Sequence, residues 1–358
     1  MMNRRTLLSL SASAPLLASG CAAPSSLATS ATATALQGTG DLGVVIERAQ
    51  GALTLVNTSR REAIGRVTGL GDLSHASVVF SRDERFAYVF GRDGGLTQVD
   101  ILARRITARV MQAGNSIGGA ISADGSLVVA QNYTPGGIKV FDAATLELLA
   151  DLPALTPGGE RSRVVGLADL PQRRFIYSLF DAGAICIADC ADPRKPRVTT
   201  LEGIGKQPYD ALVSPNGRHY IAGLFGEDGL AMVDLWEEQP RVRRILGGYG
   251  RGQEPLPVYK MPHLRGWAVA GRRAYLPAIG RHEVLIVDTA TWAEVGRIPV
   301  AGQPVFVMAR PDGRQVWVNF SVPDYHRVQV IDTPSQRVVQ TLEPGKAVLH
   351  MEFTPRGE

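Results

Sequence analysis

The sequence predicts an all-β protein, a propeller of four-stranded antiparallel blades, and three observations carry that prediction. Beyond residue 40 the chain repeats a unit whose closing strand ends on Asn57, Asp100, Asp142, Asp189, Asp234, Asp288 and Asp332, at intervals of 43, 42, 47, 45, 54 and 44 residues. Each unit carries a turn with a Ser-x-Asp-Gly flavour: "SRDER", "SADGS", "LPQRR", "SPNGR", "VAGRR", "RPDGR" and "TPRGE". Between the turns lie short apolar runs such as "LTQVD", "IKVFD" and "VLIVD", which read as strands. A four-stranded unit repeated at this period buries its faces only against its neighbours, which is the logic of a propeller.

Taken in chain order, residues 1–21 read as a targeting segment. "MMNRRTLLSLSASAPLLASGC" pairs Arg4 and Arg5 with a mildly apolar stretch and small residues before Cys21. "ASGC" fits a lipobox, so Cys21 is the expected lipidation site, and the paired arginines also permit twin-arginine export. Together these place the protein in the periplasm, held to a membrane by lipid; the alternative is a soluble periplasmic protein released by ordinary signal cleavage. Residues 22–40, "AAPSSLATSATATALQGTG", are a small-residue tether with nothing to bury. The propeller then occupies residues 41–358.

The ends of the repeat leave two closures open. The first unit, "LGVVIERAQGALTLVNTSRREAIGRV", lacks its innermost strand, and the last, "AVLHMEFTPRGE", supplies one innermost strand, "VLHMEF", before an idle turn. Joining the two gives seven closed blades. The competing reading is an incomplete C-terminal blade, with the next Asp-terminated strand due near position 376, and an open or strained ring.

Composition removes several function classes. The net charge is +4, with 5 lysines scattered among 33 arginines and only 6% aromatics, so the basic stripe that nucleic acid requires is missing. No apolar run approaches the roughly 18 residues of a spanning helix. Cys186 and Cys190 in "CIADC" would lie about 13 Å apart along a strand, too far for a disulfide, and are expected in the core or a turn. There is no Cys-x-x-Cys-His for c-type haem attachment, no phosphate loop, no metal-binding His-x-x-x-His and no nucleophile elbow.

The chemistry that remains gathers where innermost strands begin. Counting back six residues from each turn gives a column of His75, Ser116, Val164, Pro208, His263, Pro304 and Val348. Two of the six histidines fall in that column, and His350 enters two residues later. Tyr209 and Asp210 follow at once in "KQPYDALV". A lone histidine in a propeller funnel ordinarily serves as hydrogen-bonding filler. Two in register beside a Tyr-Asp pair raise a ligand or catalytic reading to equal standing. His219, His282 and His326 read as surface. Arg92, flanked by glycines in "GRDGG", either clamps a carboxylate with its planar fork or simply caps a hairpin.

Several contiguous stretches, "GDLSHASVVFSRDERFAYVFGRDGGLTQVD", "GNSIGGAISADG" and "QNYTPGGIKVFDAATLELLADLPA", resemble the NirF family of heme d1 biosynthesis proteins. More distantly, they resemble the d1-haem propeller of cytochrome cd1 nitrite reductase. The resemblance runs from about residue 40 to the end. It implies an eight-bladed propeller whose C-terminal blade is incomplete here, and a role in denitrification. A d1-type haem or its dihydro-heme d1-like precursor is the implied ligand or substrate. Cytochrome cd1 nitrite reductase and other heme d1 biosynthesis proteins are the implied partners, a homodimer being left open.

Residue by residue, His75 matches the proximal iron ligand and Arg92 an arginine beside the macrocycle. Asn115 and Ser116 in "GNSIGG" and Tyr133 in "QNYTPGG" fall in the implied cofactor-binding set, with Asn115 where the reductase carries another arginine. His263 in "MPHLRG" resembles one of two distal histidines, with Arg265 near a carboxylate-binding arginine. "QPYD" replaces the other distal histidine and offers Tyr209 and Asp210. The resemblance therefore implies a site kept for a d1-type ring but changed in its chemistry, with His263, Tyr209 and Asp210 as the catalytic set. The alternative is a non-catalytic carrier or assembly protein; a scaffold propeller unrelated to tetrapyrroles is the third reading.

Overall fold

The computed structural model describes residues 39–249, 267–278, 281–348 and 350–357. These residues form seven antiparallel sheets that follow one another along the chain. Six have four strands, each paired with the next in sequence, as the repeat predicts. Blade one has three, Leu42–Glu47, Ala52–Asn57 and Glu62–Val67, and lacks the innermost strand, also as expected.

Alternation within single strands builds the stack. On the second strand of blade two, Phe86–Phe90, Ala87 and Val89 pack with Leu53 and Leu55 of blade one. Tyr88 and Phe90 of the same strand point the other way, into Val128, Ala130 and Phe141 of blade three. Successive side chains of a strand face opposite sides, so one strand serves two interfaces and must be apolar on both. The pattern continues: Val129 meets Tyr177, Ile176 meets Tyr220, Ile221 meets Leu276, and Tyr275 meets Val318. Cys186 and Cys190 are buried free thiols in the third of these interfaces, as the sequence expects.

The recurring aspartate has a local task. Asp100 is 2% exposed; its carboxylate accepts the Ala103 amide at 2.8 Å and an Arg85 nitrogen at 2.9 Å. Asp142 takes the Ala144 and Thr145 amides, and Asp288 takes those of Ala290 and Thr291 together with Arg272. Each caps the turn into the outermost strand, satisfying amides that would otherwise be orphaned.

Residues 343–357 leave the last strand, Arg337–Leu342, and cross from blade seven toward blade one. Val348 donates to the Tyr325 carbonyl at 2.8 Å, and Asn319 donates to Val348 at 2.7 Å. Phe353 packs edge-on against Trp317, and Arg356 reaches Asp41 at 2.9 Å. The expected "VLHMEF" strand is not seen: its described residues join no ladder, because side chains of blade seven hold them instead. Neither an eighth blade's strand nor a fourth strand for blade one is present among the described residues.

Candidate functional site

Four innermost strands break register where they begin. The slips lie between Asn115 and Gly118, Val165 and Ala168, Pro208 and Ala211, and Pro304 and Val307. A bulge bends the strand and re-aims the side chains beside it. Gly166 (φ +62°) lies within the second slip, where a Cβ would stand 2.9 Å from both the Tyr209 carbonyl and the Tyr220 hydroxyl. Only glycine permits that approach between blades four and five.

His75 is exposed in the turn before the inner strand Ser77–Phe80 of blade two, where the sequence places it. Arg92 sits in the next hairpin, whose backbone is pinned: its amide donates to the Asp72 carbonyl at 2.8 Å, and Gly91 donates to Gly95 at 2.8 Å. Beside it, Asp93 is paired with Arg109 at 2.8 Å. The Arg92 side chain is half-buried, and its charge acts on both Asp72 and Tyr133. Its charge therefore reaches inward as well as into the hairpin.

Tyr133 is the penultimate residue of the second strand of blade three, Leu127–Thr134, and its hydroxyl donates to that of Tyr209 at 3.1 Å, joining blades three and five. Burial pushes the Tyr133 hydroxyl far above its ordinary value and the Tyr209 contact adds to this, while Arg163 and Arg92 oppose it. The group keeps its proton at any physiological pH and acts as a donor.

Arg163 immediately precedes the inner strand Val164–Leu170 of blade four. Its guanidinium lies 4.1 Å from the centre of the Phe180 ring while Asp181 binds its head and its backbone amide, the latter at 2.9 Å. Burial works to raise the Asp181 carboxyl, but the Arg163 donors outweigh it and hold it below its ordinary value. Phe180, Tyr209 and Phe225 complete an aromatic trio with centroids 5.8–6.0 Å apart.

Asp210 is half-buried, one oxygen accepting the Ala211 amide at 2.9 Å. Ser116 is fully buried and donates to the Gln131 carbonyl at 2.8 Å. Two buried polar atoms at the starts of adjacent inner strands, Asn115 Oδ1 and Ser77 Oγ, have no hydrogen-bond partner. His350 packs against Phe306 at 5.2 Å. Cys21, His263 and Arg265 lie outside the described residues.

His219 corrects the surface reading. It opens the strand His219–Leu224 with its side chain 13% exposed, against Trp292 of blade six and 3.9 Å from Asp234. The neighbour that buries it comes from another blade.

Sequence reasoning missed Arg163, Phe180 and Phe225. Arg163 stands one place before Val164 in the column, in register with Asn115 one place before Ser116. The repeated hairpins "LFDAG" and "LFGED" carry the two phenylalanines.

Tyr133 and Tyr209, the charges of Arg92 and Arg163, and the rings of Phe180 and Phe225 form one group, while the His75 imidazole and the buried Asn115 Oδ1 and Ser77 Oγ lie at the starts of inner strands of blades two and three. That donor set suits a flat ring bearing carboxylates and a metal.

The family model described as Cytochrome D1 heme domain matches residues 37–358. Protein NirF of Stutzerimonas stutzeri is 62% identical over 325 residues, covering 90% of this chain and 83% of that relative. Protein NirF of Pseudomonas aeruginosa is 60% identical over the same extent. The solved structure of dihydro-heme d1 dehydrogenase NirN in complex with DHE matches with a TM-score of 0.76 at 25% identity, covering 93% of this chain and 71% of that one. A propeller of this architecture, matched over its whole length, makes the chain a member of the cytochrome d1 heme domain family and, within it, of the NirF proteins.

Proposed function

We propose that the protein acts in heme d1 biosynthesis, binding a late d1-type tetrapyrrole at the mouth of its propeller and modifying it for cytochrome cd1 nitrite reductase. The observation that carries this reading is the Tyr133–Tyr209 pair set between the charges of Arg92 and Arg163 on a d1-family propeller. The ligand found with the related NirN structure supports the choice of ligand class. His75 is the residue for the iron, Arg92 steadies an acidic ring substituent, and Tyr133 donates through Tyr209. The ring itself supplies the metal and the conjugated system. The protein's residues bind it, orient it and hold a proton beside it. His263 and Arg265 belong to the ligand set that the family resemblance implies, and in this reading His263, Tyr209 and Asp210 move protons. Arg4, Arg5 and "ASGC" support export to the periplasm and a lipid anchor at Cys21.

One observation favours the carrier reading instead: Tyr133 is held in its protonated form, which suits holding a ligand better than abstracting a proton from it. Titration with dihydro-heme d1 and complementation of a strain lacking the protein decide between them. His75→Ala should change the visible spectrum of the bound ring more than its affinity, since arginine contacts and burial hold the ring without the iron bond. An unchanged spectrum removes His75 as the ligand. Tyr209→Phe and His263→Ala should leave spectrum and affinity near normal yet abolish maturation of active nitrite reductase. Full complementation by both leaves only the carrier.

A further inference from the structure

The hairpin "GRDGG" supplies Arg92 to the site, and the residue after it, Asp93, has no part in the reading above. Its carboxylate gathers three donors from separate places in blade two. Oδ1 accepts the Gly95 amide at 2.9 Å, while Oδ2 accepts the Asp72 amide at 3.3 Å and an Arg109 nitrogen at 2.8 Å. Arg109 belongs to the outermost strand, Arg105–Met111, opposite Thr97 in register. Its guanidinium reaches across the blade, donating to Thr97 Oγ1 at 2.6 Å and to the Leu70 carbonyl. Glycines leave it the room: a Cβ on Gly95 would stand 2.6 Å from Arg109 Nη2, and one on Gly71 would collide with both Asp93 and Arg109.

These contacts converge on residues 70–75, the turn that carries His75. The Arg92 amide donates to the Asp72 carbonyl at 2.8 Å, and the Asp72 carboxylate accepts the Ser74 amide at 2.8 Å. From the other side, Arg48 of blade one donates to the Ser74 carbonyl, and the Leu70 amide donates to the Gly51 carbonyl at 3.0 Å. Leu70 and Leu73 are fully buried in the interface of blades one and two, which fixes the depth of the turn. Apolar burial is non-directional, whereas a hydrogen bond to a charged group has a geometry. The polar contacts therefore orient the turn's exposed end, while the buried leucines keep it folded without them.

We propose that Asp93 and Arg109 are positioning residues that clamp the His75 turn to the Arg92 hairpin, so that imidazole and guanidinium meet the ring as one preformed unit. The inference rests on the tetrapyrrole reading above. Neither residue acts on the ring directly. A metal ligand depends on the groups that orient it, and two binding elements held in a fixed relation lose less freedom when the ring arrives. Arg109 acts from the outermost strand, the one farthest along the sheet from the His75 turn.

The test titrates wild type, Asp93→Asn, Arg109→Gln, Arg109→Lys and His75→Ala with dihydro-heme d1, and follows amide hydrogen exchange of residues 70–75 in each ligand-free protein. Asp93→Asn and Arg109→Gln should speed exchange in that turn and shift the bound spectrum toward that of His75→Ala. They should also weaken ring binding by about tenfold, because Arg92 is displaced along with His75. Arg109→Lys keeps a cation beside Asp93 and should recover part of each effect. A clamp that serves stability alone would lower Tm and leave spectrum and affinity as in wild type. That result in folded Asp93→Asn protein overturns the assignment and spares the tetrapyrrole reading, and so does unchanged exchange of residues 70–75 in both variants. A wild type that binds no ring, or a His75→Ala spectrum identical to it, overturns the assignment together with the reading beneath it.

Discussion

His219 shows how one side chain couples two blades to pH. Burial against Trp292 depresses its proton affinity below the ordinary value near 6.5; Asp234 pulls the other way and Arg218 and Arg243 add to the depression. The folded state therefore binds fewer protons at this site than the unfolded chain, and stability rises with pH across that window. Acidifying through pH 6.5 and below should destabilise the protein through this group, and the contribution is absent in His219→Gln. Thermal unfolding of both proteins at pH 8 and pH 5.5 checks it: the wild type should lose more Tm on acidification than the variant. At the candidate site the same currency works in reverse, since burial fixes Tyr133 in the protonated state that lets it donate to Tyr209.

The blade depends on its terminal aspartate. Asp100 takes an amide and a guanidinium, and although burial works against its charge, the Ala103 amide and Arg85 hold its carboxyl below the ordinary value. Asp100→Ala removes the acceptor of the part-buried Ala103 hydrogen bond and the partner of Arg85, and should lower unfolding stability by about 1 kcal/mol. The effect should appear as a lower denaturant midpoint at an unchanged m-value. An unaltered midpoint would mean that water replaces the carboxylate without cost. The inner strands follow a second rule. Their bulges turn Asn115, Tyr209 and Asp210 away from simple alternation, which is why the site forms at one end of the sheets.

Among the described residues, six apolar interfaces join seven sheets, and Arg356 beyond blade seven reaches Asp41 of blade one. An exposed pair of this kind contributes little by itself. The proposed anchor belongs to this scale too. Cys21→Ser should move the protein from the membrane to the soluble periplasmic fraction. Unchanged membrane association in the variant would remove the lipid anchor.

The sequence alone determined the repeat, the four-stranded blades, the aspartate ending each third strand and the place of His75 before an inner strand. All of these are written in short-range pattern: alternating apolar residues, turn chemistry and a period of about 45 residues. Tertiary structure decided what meets across blades. Tyr133 and Tyr209 are 76 residues apart and meet across blades, each beside a register slip of its own sheet. Arg163 gains meaning from Phe180 and Asp181, and His219 from Trp292, none of which local spacing reveals. The "VLHMEF" run has the pattern of a strand, yet Asn319, Trp317 and Phe306 hold its neighbourhood by side chains instead. A ladder needs a partner edge as well as a strand-like sequence, and only the packed molecule determines whether one is offered.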